Sequence, residues 1–588
     1  MNSSSLRPKL LLLVFLLAFV GVYFRLFYWQ IVQGYSLKKI AENQATQQKI
    51  ELGKRGQIFS SDQQLLVGNK ELYHLMVDKS LLKSSPIEIS RKLAPILAIK
   101  DLNEATDSSQ IKLSDLEQEN ETYLQNRLNL NSTWIRLSSR IDRKLKEKIE
   151  TIQEPALYFE PYDVRYYPEA SMAAHLTGFV GKDEQGQDIG YFGLEGALDK
   201  ELAGKFQKKD FFTDALGNLL GGENTLENKN LDGRDFILSI RRDVQFLLET
   251  ELEKGIQKYG AFAGEIIVLD PRSGDLLGLA AWPKYDQTKY YTFAPELYKN
   301  PSLANLYEPG STFKTLTVAA GIDAGVIEPD TECPNCEGPR QIGKYTIRTW
   351  NNEYHPNITI RDALAKSDNT AMIFVAETLG KDNFINYLKK FGIGEEIKID
   401  LQDDSNTPFP DKWGPVELAT TSFGQGISTN SLQMVRAVST IANQGIMMRP
   451  KIIKSVVDHQ TGKTLPVEPI EERRVISAKT AQVVTEMMIN SAQHGEAQWI
   501  FKDTHTVAGK TGTSQIPVKG GYKEDATIAS FIGFAPAENP RFVMLVKLNE
   551  PQSSPWAAET AAPLWYKVAE KLFLLLNIPP DSITSPTP

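Results

Sequence analysis

Several textures of hydrophobic and polar positions succeed one another along the chain, and each predicts a different kind of structure. Leu10 to Phe24 is an uncharged apolar run (LLLLVFLLAFVGVYF) preceded by Arg7 and Lys9. As a helix this run rises only about 22 Å, short of the roughly 30 Å hydrocarbon core of a bilayer. Continuing through Arg25 to Val32 makes it long enough, with the Arg25 stem snorkelling toward the interface. Tyr23, Phe24, Phe27, Tyr28 and Trp29 supply an aromatic belt there. From about 45 to 235 the pattern is polar and irregular, with strand-like pieces (Leu72 to Val77, Thr133 to Leu137) and a charged helical stretch, Asp142 to Ile152. Asn218 to Asp235 is rich in Gly and Asn and predicts a linker or a long hairpin arm. After it, apolar residues at 244, 247, 248, 252 and 256 mark one face of a helix from Asp243 to Tyr259. Gly264 to Asp270 and Leu276 to Trp282 flank the turn Pro271-Arg272-Ser273-Gly274, a hairpin pattern. Ser530 to Ala535 and Arg541 to Leu548 flank Ala537-Glu538-Asn539-Pro540 in the same way. Helical patterns fill the middle and close the chain from about Ala557 to Leu576, and Asn577 to Pro588 is a Pro/Ser/Thr tail expected to lack order.

The apolar start has rival readings. A cleaved signal peptide would need a small-x-small site after the run, and there is none. A buried core helix would leave the charged nine-residue tail with nothing to pack against. The run therefore reads as an uncleaved signal anchor. The tail is short enough to stay inside, although Lys38 and Lys39 on the far side blur the charge rule. The expected layout is a cytoplasmic tail (1–9), a membrane anchor (10–32), an exported first domain (33–235), an α/β second domain (236–577) and a disordered tail (578–588). Composition narrows the classes further. With 588 residues, 41% apolar, 23% charged and a formal charge of −8, the chain is globular, which excludes collagen-like, disordered and disulfide-scaffold proteins. The acidic balance without a basic block argues against nucleic acid as a partner. Two cysteines and six scattered histidines leave little for a metal cluster.

Three short motifs in the second domain carry candidate chemistry. Ser311-Thr312-Phe313-Lys314 follows the chain break Pro309-Gly310 and opens a helical pattern that stops at Gly325. Ser311 thus sits at a helix N-terminus, where free N–H groups favour developing negative charge. Lys314 lies one turn on, on the same face. It can accept the serine proton only if burial or a neighbouring cation lowers its pKa from about 10.4. Alone, the motif reads as a capping serine and a surface lysine. Ser367-Asp368-Asn369 joins two helical segments (Thr359 to Lys366, Thr370 to Leu379) and alone is an ordinary helix start. Lys510-Thr511-Gly512-Thr513 lies on a β-branched stretch beginning at Thr504, where Gly509 and Gly512 would let another backbone approach, as a peptide laid along a sheet edge requires. A phosphate-loop reading of Gly509-Lys510-Thr511 fails, because the glycine it needs would fall at Thr504.

S-x-x-K, S-D-N and K-T-G in this order are the set shared by class A β-lactamases and penicillin-binding proteins. Over nearly its whole length the chain resembles a class B penicillin-binding protein, a monofunctional peptidoglycan D,D-transpeptidase. Arg55-Gly56-Gln57-Ile58 resembles the family's R-G-x-I. Arg165-Tyr166-Tyr167-Pro168 and Gly193-Leu194-Glu195-Gly196 resemble its pedestal signatures. Ser422-Phe423-Gly424-Gln425-Gly426-Ile427-Ser428 is similar to the glycine-rich segment before the last motif. Two stretches depart: Ser60-Ser61-Asp62 stands in place of the usual Asp-Arg-Asn-Gly, and Asn430-Ser431 in place of Thr-Pro.

The resemblance implies an α/β (α+β) penicillin-binding, β-lactamase-like transpeptidase domain behind a transmembrane helix and an elongated, mostly β pedestal. It implies Ser311 as nucleophile on the penultimate D-Ala, Lys314 as proton acceptor, Ser367 as relay to the leaving amine and Asn369 as holder of the substrate amide. Lys510 and Thr511 would bind the terminal carboxylate on the Gly512–Thr513 strand. The N–H groups of Ser311 and Thr513 would form the oxyanion hole. It implies no metal and no organic cofactor. The partners it implies are stem peptides ending in D-Ala-D-Ala, the lipid-linked precursor, β-lactams, a membrane glycan polymerase and other division proteins, at the outer side of the cytoplasmic membrane. Glu308 in Tyr-Glu-Pro-Gly-Ser resembles division-type members, which points to the septum.

Alternatives remain. A β-lactamase or D,D-carboxypeptidase would share the motifs but work without a pedestal, and a division scaffold could keep them without turnover. No glycosyltransferase-like segment lies between the anchor and residue 235, no G-x-S-x-G occurs, and no histidine sits in a motif. Cys333 and Cys336 lack the second pair that zinc wants and the flanks of a thioredoxin-like site, which leaves a local disulfide, the preferred reading, or free thiols.

Overall fold

The computed structural model describes residues 6–104, 112–212, 230–502, 504–518 and 521–581. They form two compact units. One gathers the chain up to Lys54, Ala203–Gly233 and His459–Thr461. Its helix Leu6–Phe27 runs on through a wider helical turn, Tyr28–Val32, and none of the residues of Leu6–Val32 is buried. Such a surface is stable only against other apolar matter, and by length and composition this helix can cross a membrane. A second helix, Gly34–Ala45, leads into the strand Thr46–Leu52, which pairs antiparallel with Phe206–Phe212. Most of the stretch expected as a hairpin arm, 218–229, and half of the expected tail, 1–5, lie outside the described residues.

The other unit joins Arg55–Leu202 to Arg234–Asp458 and the residues from Gly462 onward. Its first sheet runs in the order Lys463–Pro466, Ile453–Asp458, Asp235–Leu238, Ile58–Phe59, Leu65–Asp78, Trp134–Ile141, with Leu157–Tyr166 also on Leu65–Asp78. Ile58 pairs in parallel with Phe236, so strands from both sides of residue 235 share one sheet. The first domain expected as mostly β is built on this sheet but is mixed in content, since helices Pro86–Glu104 and Leu113–Leu128 pack on it. Leu93, Leu97, Leu124 and Leu128 are buried there against Leu75, Val77 and Leu137.

Deeper in this module Glu195 is fully buried between two arginines. Arg55 Nε and Arg165 Nε each donate to it at 2.6 Å, Arg55 Nη1 reaches Asp199 at 2.8 Å, and Arg165 Nη1 donates to the Gly56 carbonyl at 2.7 Å and to Asn69 at 2.9 Å. The residues quoted as R-G-x-I and pedestal signatures are thus one network.

The second sheet has five antiparallel strands in the order Leu276–Trp282, Ala263–Leu269, Phe542–Asn549, Gly521–Ala535, Ala508–Val518. Strand side chains alternate between faces. Ile266 and Val268 pack with helices Arg242–Tyr259 and Ala561–Leu575, while Ile267 and Leu269 face Leu316, Ala320 and Leu432 of helices Lys314–Asp323 and Ser431–Ala442. Where both faces are covered, in Ala263–Leu269, Leu276–Trp282 and Phe542–Asn549, the strands are mostly apolar, which is why this half reads so clearly in the sequence. Ala508–Val518 is an edge strand, beginning at Ala508 and not at Thr504. The tail expected from 578 is ordered at its start: Ile578 is buried and the Asp581 N–H donates to the Thr504 carbonyl at 3.1 Å, whereas 582–588 lie outside the described residues.

Candidate active site

The serine turn is built by the residues before it. Tyr307 exchanges backbone hydrogen bonds with Thr429 at 2.9 and 3.0 Å, and the Gly310 N–H donates to the Gly424 carbonyl at 3.0 Å. Gly310 has φ +56°, and a Cβ on Gly424 would lie 2.2 Å from the Gly310 carbonyl oxygen, so this crossing needs glycine. A 3-10 turn, Gly310–Phe313, carries the half-buried Ser311, and helix Lys314–Asp323 follows. Lys314, its first residue, is fully buried. Its Nζ donates to the Ser367 carbonyl at 2.6 Å and to Ser367 Oγ at 3.2 Å.

Ser367 reaches that position through a left-handed backbone, φ +58°, which costs a non-glycine residue on the order of 1 kcal/mol. The local caps hold it there. Thr359 caps helix Ile360–Ala365, and Asp368 Oδ1 caps helix Asn369–Leu379 by accepting from the N–H groups of Thr370 (2.7 Å) and Ala371 (3.1 Å). Asn369 Nδ2 donates to the Arg348 carbonyl at 2.8 Å, which leaves its carbonyl oxygen for another donor. The disulfide Cys333–Cys336 is buried behind these helices with Ile358, Ile360 and Met372, so its sulfurs bond each other.

The edge strand completes the group. Lys510 Nζ donates to Thr511 Oγ1 at 3.1 Å and to the Thr511 carbonyl at 3.3 Å. Thr511 Oγ1 in turn donates to Glu496 Oε2 at 2.7 Å. A Cβ on Gly512 would lie 2.7 Å from Thr312 Cγ2 and 3.2 Å from the Pro309 carbonyl oxygen, and the Thr513 carbonyl lies against Gly310. Gly512 therefore admits the serine turn itself. Gly509 admits the Phe531 ring, whose Cζ would be 2.4 Å from an added Cβ. The close approaches that these two glycines allow are made by the protein's own serine turn and by the Phe531 ring.

The three motifs thus meet, with Lys314 on Ser367 and the Ser311 turn on Gly512–Thr513. Burial pushes the Lys314 pKa down to about 7, the Lys510 charge adds to this, and Asp368 and Glu496 oppose it. Burial also lowers the Lys510 pKa, against the pull of Glu496. A lysine that is partly neutral near pH 7 can accept a proton from a serine. Two neighbours went unread as site residues in the sequence. Glu308 is buried, with its pKa raised by burial, and accepts from the Gly426 N–H at 3.1 Å and from Tyr522 Oη at 3.2 Å. Glu496 belongs to no motif. Nothing in the local pattern distinguishes it from a surface glutamate.

A serine turn, a buried lysine and a K-T-G edge strand together define a serine acyltransferase site. The family model described as penicillin binding protein transpeptidase domain matches residues 264–570, and that described as penicillin-binding protein dimerisation domain matches residues 50–238. The chain belongs to the penicillin-binding proteins, of the class B arrangement with a dimerisation domain ahead of the transpeptidase domain. Stage V sporulation protein D of Bacillus subtilis is 30% identical over 96% of this chain and 85% of its own length. Peptidoglycan D,D-transpeptidase FtsI of Buchnera aphidicola is 27% identical over 98% of this chain and 96% of its own. The crystal structure of penicillin binding protein 2X from Streptococcus thermophilus shares the fold with a TM-score of 0.73 at 24% identity, covering 91% of this chain and 81% of that one.

Proposed function

We propose that the chain crosslinks peptidoglycan by D,D-transpeptidation, with Ser311 as the acylated residue. Ser311 Oγ attacks the carbonyl of the penultimate D-Ala of a stem peptide while the Lys314 amine takes its proton. The oxyanion forms against the N–H groups of Ser311 and Thr513, each such donor contributing about 3 kcal/mol in comparable enzymes. Ser367 passes a proton to the departing D-Ala amine, and the C–N bond breaks to leave an ester on Ser311. The amine of a second stem then attacks this ester. Its proton leaves through Ser367 and Lys314, and Ser311 Oγ recovers a proton as the crosslink forms. Asn369 orients the donor amide, and Lys510 and Thr511, on the strand with Gly512 and Thr513, receive the terminal carboxylate.

The observation that carries this reading is the fully buried Lys314 amine, 3.2 Å from Ser367 Oγ, with a pKa near 7. A surface lysine three residues after a capping serine would have neither feature. The amide of penicillin mimics the D-Ala-D-Ala bond, so it should acylate Ser311 and stay, because its leaving group remains tethered. Mass spectrometry of the penicillin-treated protein should place the adduct on Ser311, and Ser311→Ala should abolish it. An adduct elsewhere, or labelling of Ser311→Ala, would refute the assignment. Rapid turnover of a chromogenic cephalosporin would favour a β-lactamase instead.

The reading extends to the whole chain. Residues 236–577 form the acylating part, 33–235 position it, and the Leu6–Val32 helix holds both on the outer face of the membrane with the N-terminus inside. The chain works beside a membrane glycan polymerase and other division proteins. Tyr307-Glu308-Pro309-Gly310-Ser311 favours the septum, and depletion in the native host should give filaments or chains. A second reading, crosslinking during sporulation, is favoured by the match to a sporulation protein over 96% of this chain, and predicts normal division with defective spores.

A further inference from the structure

Glu496 is delivered to the cleft by the end of a helix. Helix Ala478–His494 stops at Gly495, where an added Cβ would lie 2.2 Å from the Ser491 carbonyl oxygen and 2.8 Å from that of Ala365. Only glycine fits, so the helix end is wedged against the residues just before Ser367 and the next residue points at the K-T-G strand. The Glu496 carboxylate accepts the Thr511 hydroxyl proton at 2.7 Å and sits within electrostatic reach of Lys314 and Lys510. It also lines a cavity with Glu353, His355, Lys366, Asp368 and His494.

This placement conflicts with the role proposed for Thr511. A threonine hydroxyl has one proton to donate. While it donates to Glu496 it offers a substrate carboxylate only lone pairs, and the Glu496 charge repels that carboxylate as well. We propose that Glu496 is a specificity-determining residue that occupies the Thr511 hydroxyl and makes the incoming carboxylate displace it. This rests on the reading that Lys510 and Thr511 receive the terminal carboxylate. A stem peptide has a long backbone to lay beside the edge strand and can offset the displacement. A small anionic mimic has little besides its carboxylate. Glu496 therefore discriminates against small carboxylates and in favour of extended peptide donors.

The test compares acylation of the full-length protein by benzylpenicillin and by its uncharged methyl ester. Measured near about pH 8.5, Lys314 is already neutral and its own titration does not intrude. Glu496→Gln keeps the shape and removes the charge, and Glu496→Thr removes the carboxylate altogether. Both should accelerate acylation by the acid about tenfold and leave the ester within about twofold, an effect of one carboxylate pair at high effective dielectric. Equal acceleration of acid and ester, or no change in either, would overturn the inference. So would an unchanged acylation rate with a longer-lived adduct, which would make Glu496 a base for deacylation. Thr511→Val separates the two levels of the argument. If it lowers the preference for acid over ester while the Glu496 variants change nothing, only the role of Glu496 falls. If neither change alters that preference, the carboxylate site itself is elsewhere.

Discussion

Two clusters of buried charge, one in each half of the large unit, are built on opposite rules. Around Glu195, two arginines meet two carboxylates, with N–H donors 2.6–2.8 Å from the Glu195 and Asp199 oxygens. Burial alone would lower the Arg55 pKa, but Glu195 and Asp199 outweigh it and raise it. Around Ser367, two lysines are buried together, the nearest carboxylates are shared with other tasks, and both lysine pKa values fall. Asp368 spends its oxygen on a helix cap and Glu496 accepts from Thr511. In the first cluster each arginine meets a carboxylate directly. In the second, as many carboxylates as lysines lie near, but the two amines donate elsewhere: Lys314 to Ser367 and Lys510 to Thr511. Directly paired burial stabilises a fold, and unpaired burial prepares a reaction.

Replacing a charged residue in each cluster should therefore have opposite effects on stability. Lys314→Met should reduce penicillin acylation at least about a thousandfold, since in the proposed mechanism the nucleophile and its base act as a unit. The same change should raise stability by about 1–4 kcal/mol at pH 6, because a charge is no longer forced into the core. The sign follows from linkage. A lysine with folded pKa near 7 and unfolded pKa near 10.4 binds fewer protons folded than unfolded between those values, so wild-type stability rises with pH across that window. The gain from Lys314→Met should accordingly shrink from pH 7 toward pH 10. Denaturant titrations at several pH values measure it, and a pH-independent loss would break the comparison.

In the first cluster Glu195→Ala should destabilise by about 3–5 kcal/mol, because it leaves the buried Arg165 without a carboxylate and Arg55 with Asp199 alone. Denaturant unfolding followed in the first module reads the loss. A stability unchanged within 1 kcal/mol or so would mean that water reaches the network and that its burial is not what holds it.

The two clusters were also unequally legible in the sequence. Ser311, Lys314, Ser367 and Lys510 announce themselves because reacting groups must sit at fixed offsets from a helix start, a cap or a strand glycine. The hairpins Ala263–Leu269 with Leu276–Trp282 and Gly521–Ala535 with Phe542–Asn549 follow from apolar runs broken by turn residues. Helix Pro86–Glu104 was hidden by Pro95 inside it and by polar flanks. The pairing of Ile58 with Phe236 joins residues far apart in sequence, and no local pattern records such a contact. Glu496 is illegible for the same reason. Its meaning comes from Thr511 and from Gly495 packing on Ala365, and neither contact leaves a mark around residue 496.

If burial tunes Lys314, acylation should track its titration. Below pH 7 the ammonium form predominates, and the rate should fall about tenfold per pH unit; above pH 7 it should level off. A flat profile from pH 5 to 8 would mean that the lysine proton is not on the path.

The smallest expected effect tests the counter-charge. Asp368 opposes the fall of the Lys314 pKa, so its negative charge favours the ammonium form. Asp368→Asn keeps an oxygen that can accept from the Thr370 and Ala371 N–H groups, and asparagine caps helices about as well as aspartate. The helix start and the strained Ser367 backbone should therefore persist while the charge is lost. Lys314 should then deprotonate more readily, and acylation at pH 6 should rise about threefold, the size expected of one charge at high effective dielectric. At pH 8, where Lys314 is already neutral in the wild type, the variant should match it. Acceleration at both pH values would point to a geometric cause, and slower acylation at pH 6 would mean that the ammonium form of Lys314 is the competent one.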